Sequence, residues 1–194
     1  MRDTQDPRAF EVLRFWFGEG AAYGVPRKCW FEKDPEFDSE IRRRFLALHE
    51  KAIAGVLGSW HETPGDCLAF VVLTDQLPRN MFRGKARAFA GDALALEAAR
   101  RALARGHDRG ALAVERMFFY LPFEHSESLA DQERSCELFK PLAALPETPD
   151  VYRYAERHRE IIARFGRFPH RNAALGRTST PAEIEFLARP GSGF

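Results

Sequence analysis

The chain has 194 residues, 45% hydrophobic and 29% charged, with a net charge of +1. It is long enough to bury a real core and too apolar to be disordered, and the near-neutral balance argues against nucleic acid or an anionic membrane as its main partner. Cys29, Cys67 and Cys136 form no CxxC pair, the longest apolar run (68–73) is far short of a membrane span, and the opening MRDTQDPRAF lacks the apolar core of a signal peptide. The expectation is a single cytoplasmic domain over residues 1–194.

Proline punctuates the chain. Asp6-Pro7, Asp34-Pro35, Thr63-Pro64, Thr148-Pro149 and Thr180-Pro181 each put a capping oxygen before a residue with no N–H to leave unpaired, which is how a helix begins. Thr63 with Asp66, Ser128 with Asp131 and Thr180 with Glu183 have capping-box spacing. No segment sustains β-type alternation, so no sheet is expected. The fold class is all-α, an array of about eight helices packed as antiparallel pairs.

In chain order, a helix over 7–17 presents Phe10, Leu13 and Phe17 on one face, and Gly18 stops it. After a loop over 20–30, a helix over 35–54 carries the stripe Phe37, Ile41, Phe45, Leu48 and Ala52; Arg42, Arg43 and Arg44 read as a solvated face. A helix over 64–77, ended by Pro78, leaves no polar face over 68–73 and is therefore central. Its last turn is polar: Thr74, Asp75, Gln76. An alanine-rich helix follows over 92–105, with Leu94, Leu96 and Leu103 as its large residues and Gly106 as its stop. Helices over 112–123 and 128–140 meet at a corner near His125–Ser128. A helix over 149–165 stops at Gly166, and a short one covers 181–187.

Polar residues fall where apolar ones belong. Gln132 lies on the stripe Leu129, Cys136, Phe139. His158 lies on the stripe Val151, Tyr154, Ile161, Phe165, and Asp75 follows a fully apolar turn. An unpaired buried polar group costs about 1–3 kcal/mol, so these groups need partners, and each other is one choice. A core histidine satisfied by backbone and a glutamine that ties down a loop are the plain alternatives. A second signal is an echo: Leu77-Pro78-Arg79-Asn80 before Gly84, and Phe168-Pro169-His170-Arg171-Asn172 before Gly176. Each reads as a one-turn helix capped by Asn, with its arginine suited to a carboxylate or phosphate.

Phe15-Trp16-Phe17-Gly18, Asp75-Gln76-Leu77-Pro78-Arg79-Asn80, the block from Phe118 to Gln132 and the stretch 164–177 resemble the bacterial family catalogued as domain of unknown function 924, over nearly the whole chain. Leu77 stands where the family motif leads one to expect Phe. The resemblance implies a tetratricopeptide-like helical fold and supplies no activity and no catalytic residues. The chain itself shows no 34-residue repeat.

Two functional classes follow. The first is a small-molecule site, of an enzyme or of a binding protein, that takes an anionic ligand. Its candidate residues are Asp75, Arg79, Asn80, Glu124, His125, Gln132, His158, His170, Arg171 and Asn172. A carboxylate beside a histidine supplies general acid and base, and the Arg-Asn pairs hold the anion. The second is a helical scaffold for a protein or peptide, its buried polar residues purely structural. No P-loop, dinucleotide fingerprint, nucleophile motif or zinc motif is present, so no cofactor is expected. His125 with Glu124 or Glu127 is too small a donor set to assign a metal.

Overall fold

In the computed structural model, which describes residues 3–192, all regular structure among those residues is helical. Capping chemistry explains most starts. Asp6 accepts from the Arg8 N–H at the head of α1 (Pro7–Phe17), and Asp34 from Glu36 and Phe37 at the head of α2 (Pro35–Ile53). Thr63 accepts from Asp66 at α3 (Pro64–Val71). Thr180 and Glu183 form the full reciprocal box at α9 (Pro181–Leu187).

Three expected caps are used otherwise. The Asp66 carboxylate takes the N–H groups of Gln5 and Asp6 instead of its own cap, tying the N-terminal segment to α3. Thr148 donates to Leu142 O, and α8 (Val151–Phe165) starts two residues past Pro149. Ser128 makes no side-chain cap at α7 (Leu129–Phe139), and the Asp131 carboxylate accepts from the Ser126 hydroxyl and Arg100 instead of the Ser128 N–H.

The central rod does not end at Pro78. From α3 it passes through a wide π turn (Val72–Gln76) into α4 (Leu77–Met81), so the nine α-helical segments of the described residues make eight rods. The wide turn is what lets proline in. Proline brings no N–H and its ring crowds the carbonyl four residues back, here that of Thr74, while the Leu77 N–H reaches back to Val72 O. α3 packs on α1, on α5 (Asp92–Arg105) and on α6 (Ala113–Glu124); α4 and the π turn pack on α2; α6, α7 and α8 pack in succession. Residues 68–73 are all buried, as a helix with no polar face requires.

One helix seats closely through its small residues, and one is rotated from expectation. In α5 the alanines Ala95, Ala98, Ala99 and Ala102 face the core while Leu94 points out, so α5 seats closely on α3. In α8 Ala155, Ile161 and Ile162 are buried beside His158, and Tyr154 is exposed. Gly106 and Gly166, at φ 71 and 67, end α5 and α8 in the left-handed conformation. The densest packing is aromatic: the Phe118 ring lies edge-on to Trp16, Phe17 and Trp30 at 5.5, 5.3 and 5.0 Å, drawing α1, the 20–30 loop and α6 together.

Candidate functional site

The polar interior gathers where five elements meet. The π turn carries Asp75, and Arg79 follows one turn on in α4. Asp92 is the first residue of α5. Glu124 closes α6 and His125 caps it. A 3-10 turn (Pro169–Arg171) brings His170 and Arg171 over the top.

Asp75 is fully buried, and its carboxylate is saturated with donors. His125 Nδ1 lies 2.7 and 3.0 Å from its two oxygens, the Gln76 amide donates at 2.5 Å, and Arg79 stands 3.2 Å away. Burial alone would raise this pKa, but Arg79, then His125 and Gln76, outweigh it and hold the carboxyl well below its ordinary range. A carboxylate only accepts, so Nδ1 of His125 carries the proton and Nε2 the lone pair. Burial, then Arg79, pushes the His125 pKa down against the pull of Asp75, so the ring is neutral at neutral pH. Nε2 makes no hydrogen bond with the described residues, and the side chain is 14% exposed, which leaves that nitrogen a route to solvent.

Arg79 spans two carboxylates. Its Nη1 donates to Asp75 O at 2.6 Å and to Asp92 Oδ1 at 2.9 Å, and Nη2 to Asp92 Oδ2 at 3.2 Å. Arg171 Nη1 meets the same Asp92 Oδ2 at 3.2 Å. The Arg171 guanidinium is packed between the rings of Phe89 and Phe168, 4.8 and 4.5 Å from their centroids, and its buried Nε has no hydrogen-bond partner. Burial, then Arg79, lowers its pKa to about 10, so it remains a cation.

A second histidine–carboxylate contact lies alongside. His158 Nδ1 is 2.8 Å from Tyr154 O, which fixes the proton on that nitrogen, and 3.3 Å from Glu124 Oε1. Burial drives both groups to neutrality: His158 down to about 3, and Glu124, with Asp75 adding, up to about 8. The rings of His125 and His158 stand 6.4 Å apart, and Phe168 lies against His158, His170 and Arg171. Burial, then Arg171, lowers His170 to about 4. Glu127 clips this layer in place: it accepts the Phe168 N–H and a two-pronged contact from Arg177.

Of the ten candidate residues, Asp75, Arg79, Glu124, His125, His158, His170 and Arg171 meet here. Gln132 does not join them: its amide donates to Glu124 O and Ser126 O and holds the α6–α7 corner. Asn80 lies inside α4 and donates to Asp38, and Asn172 donates to Ser179. Neither asparagine side chain caps a helix start, so what Pro78-Arg79-Asn80 and Pro169-His170-Arg171-Asn172 share is arginine placement and not capping. Asp92, Gln76, Phe89 and Phe168 were not among the candidates, and Glu127 entered the sequence reading only as a metal partner of His125. An acid after Gly91 reads as a partner of its own helix dipole, and nothing in the spacing announces arginines 13 residues before it and 79 residues after it. Two surface hollows, of about 330 and about 510 Å3, lie elsewhere and contain none of the ten. Among the described residues no three His, Cys, Asp or Glu side chains converge as metal donors.

Known proteins place the chain without naming its chemistry. The model of a bacterial protein family of unknown function, DUF924, matches residues 12–191. A solved protein of unknown function from Agrobacterium tumefaciens, ATU0120, is 42% identical over 93% of this chain and 96% of its own, with a TM-score of 0.83. No curated protein matches. The matched residues span nearly the whole fold, including every residue of the polar cluster, and the chain therefore belongs to the DUF924 family.

Proposed function

We propose that the Asp75–His125 pair is the general base of a small-molecule enzyme whose substrate carries an anionic group. The observation that carries this reading is the bonding of His125: Nδ1–H is held by a buried ionised carboxylate, and Nε2 is left bare and reachable. A carboxylate that fixes the imidazole tautomer and steadies the imidazolium formed on proton uptake is the arrangement a general base needs. His125 would take a proton from water or from the substrate. Arg79, which shares Asp75 with His125, and Arg171, joined to Arg79 through Asp92, supply the positive charge that orients an anion and balances charge developing on it. Arg171 is positioned by Phe89 and Phe168, and Glu124 with His158 forms a neutral floor beneath the two working groups. The three cysteines are free, which supports a reducing, cytoplasmic setting.

The test is a panel of phosphorylated and carboxylated metabolites, followed by calorimetry for binding and mass spectrometry for turnover. The wild-type protein should bind and convert at least one compound. Arg171→Ala should weaken that binding by about 1.5–3 kcal/mol, the scale of a charged hydrogen bond. His125→Ala should abolish turnover while keeping the helical circular-dichroism spectrum. Turnover that survives His125→Ala, or a panel in which nothing binds, would leave the polar cluster a structural one in a helical scaffold.

A further inference from the structure

Asp92 is bonded as a ligand would be. Its two oxygens receive Nη1 and Nη2 of Arg79 side by side, and one of them also receives Nη1 of Arg171. Paired guanidiniums converging on one planar group are how proteins recognise carboxylates from outside, because the fork of donors matches the two oxygens. Here the carboxylate belongs to the chain. Two features argue that it is a removable occupant. The Asp92 side chain is 20% exposed, so its end of the cluster opens to solvent, whereas Arg171 is only 7% exposed and keeps a buried Nε with no partner. Asp92 also has somewhere else to go. It is the first residue of α5, and the residue before the helix, Gly91, gives that end no side-chain cap. The unpaired N–H groups there donate to a carboxylate that swings back over its own helix.

We propose that the Arg79–Arg171 pair is a subsite for the carboxylate of a small ligand, and that Asp92 fills it from within the chain until the ligand displaces it. This rests on the acid–base reading above and names the substrate class: a carboxylic acid, held with its carboxylate on Arg79 and Arg171 and its reacting end toward His125. Bound this way, the ligand replaces one carboxylate by another, so the two arginines are never left facing each other unscreened. The internal carboxylate lowers apparent affinity by the fraction of time it occupies the subsite, and discriminates against anions that match the two-pronged geometry poorly.

The experiment is calorimetric titration of the full chain with malonate, and separately with inorganic phosphate, at constant ionic strength. Malonate should bind the wild type weakly, bind Asp92→Asn about tenfold more tightly as expected from removing a competitor, and fail to bind Arg171→Gln. Asp92→Ser, which keeps a small polar side chain at the start of α5, should behave as Asp92→Asn does and guards against a variant that misfolds. Asp92 variants that bind malonate no more tightly than wild type would overturn the proposal, as would a wild type that does not bind malonate at all. Phosphate binding in preference to malonate would overturn the carboxylate assignment. Malonate affinity reports on the two arginines, whereas turnover requires His125. The base and the subsite therefore fail on separate readouts, turnover for one and malonate affinity for the other.

Discussion

Two histidines touch two carboxylates within one cluster, and the pairs are poised in opposite ways. Asp75 faces a guanidinium and keeps its charge; Glu124 faces a neutral imidazole deep in apolar packing and keeps its proton. Folded Glu124 titrates at about 8 against an ordinary value of 4.5, so between those values the folded chain holds a proton that the unfolded chain has lost. That contribution to stability is complete at low pH and fades as pH rises toward 8. Glu124→Gln has no proton to lose. Relative to wild type it should gain about 1–2 kcal/mol of stability on going from about pH 6 to about pH 8, read from urea denaturation. A difference that does not move with pH would mean that Glu124 is ionised in the fold. At this scale the sequence was partly legible. Gln132 and His158 stood out because they interrupt apolar stripes, and both are buried. Asn80 was misread because a Pro–Arg–Asn string looks the same whether the helix starts there or is already running, and Asn172 because it follows its turn instead of opening one and donates to Ser179.

The π turn is the element on which the site depends. It sets Asp75 on the inner side of the central rod, and it offers its backbone to the head of α5. Gly91 packs so closely on it that a Cβ there would stand 2.3 Å from Thr74 O, a backbone atom that has nowhere to retreat. Gly91→Ala should therefore push α5, and Asp92 with it, away from Arg79. The expected cost is about 1–3 kcal/mol, as for overpacking a tight contact, measured by chemical denaturation. Wild-type stability in this variant would show that the two elements are not held in register by that contact. The helix starts at Pro7, Pro35, Pro64 and Pro181 were legible because capping chemistry is local. The passage of the central rod through Pro78 was not, since a widened turn is chosen by packing against α2 and α5 and leaves no mark in spacing.

For the molecule as a whole, the cost of these buried neutral groups appears on the acid side. His158 titrates at about 3 and His170 at about 4 in the fold, against an ordinary 6.5. As pH falls below 6.5 the unfolded chain takes up protons that the folded chain refuses, so stability should decline from there toward pH 4. Asp75 adds its loss only at lower pH: its depressed folded pKa contributes stability above the ordinary 3.8, withdrawn as pH drops through the folded value. Glu124 slopes the other way over part of this range, so the decline is best read in the Glu124→Gln background. Stability that stays flat from neutrality down to about pH 4.5 would contradict the burial of the two imidazoles in neutral form. The most direct test of the central claim is 15N NMR of the His125 ring at neutral pH. A general base at His125 requires a neutral imidazole, protonated on Nδ1 toward Asp75, with Nε2 showing the shift of a bare nitrogen. An imidazolium protonated on both nitrogens, or a ring whose proton sits on Nε2, would contradict it, because His125 would then have no lone pair with which to take a proton.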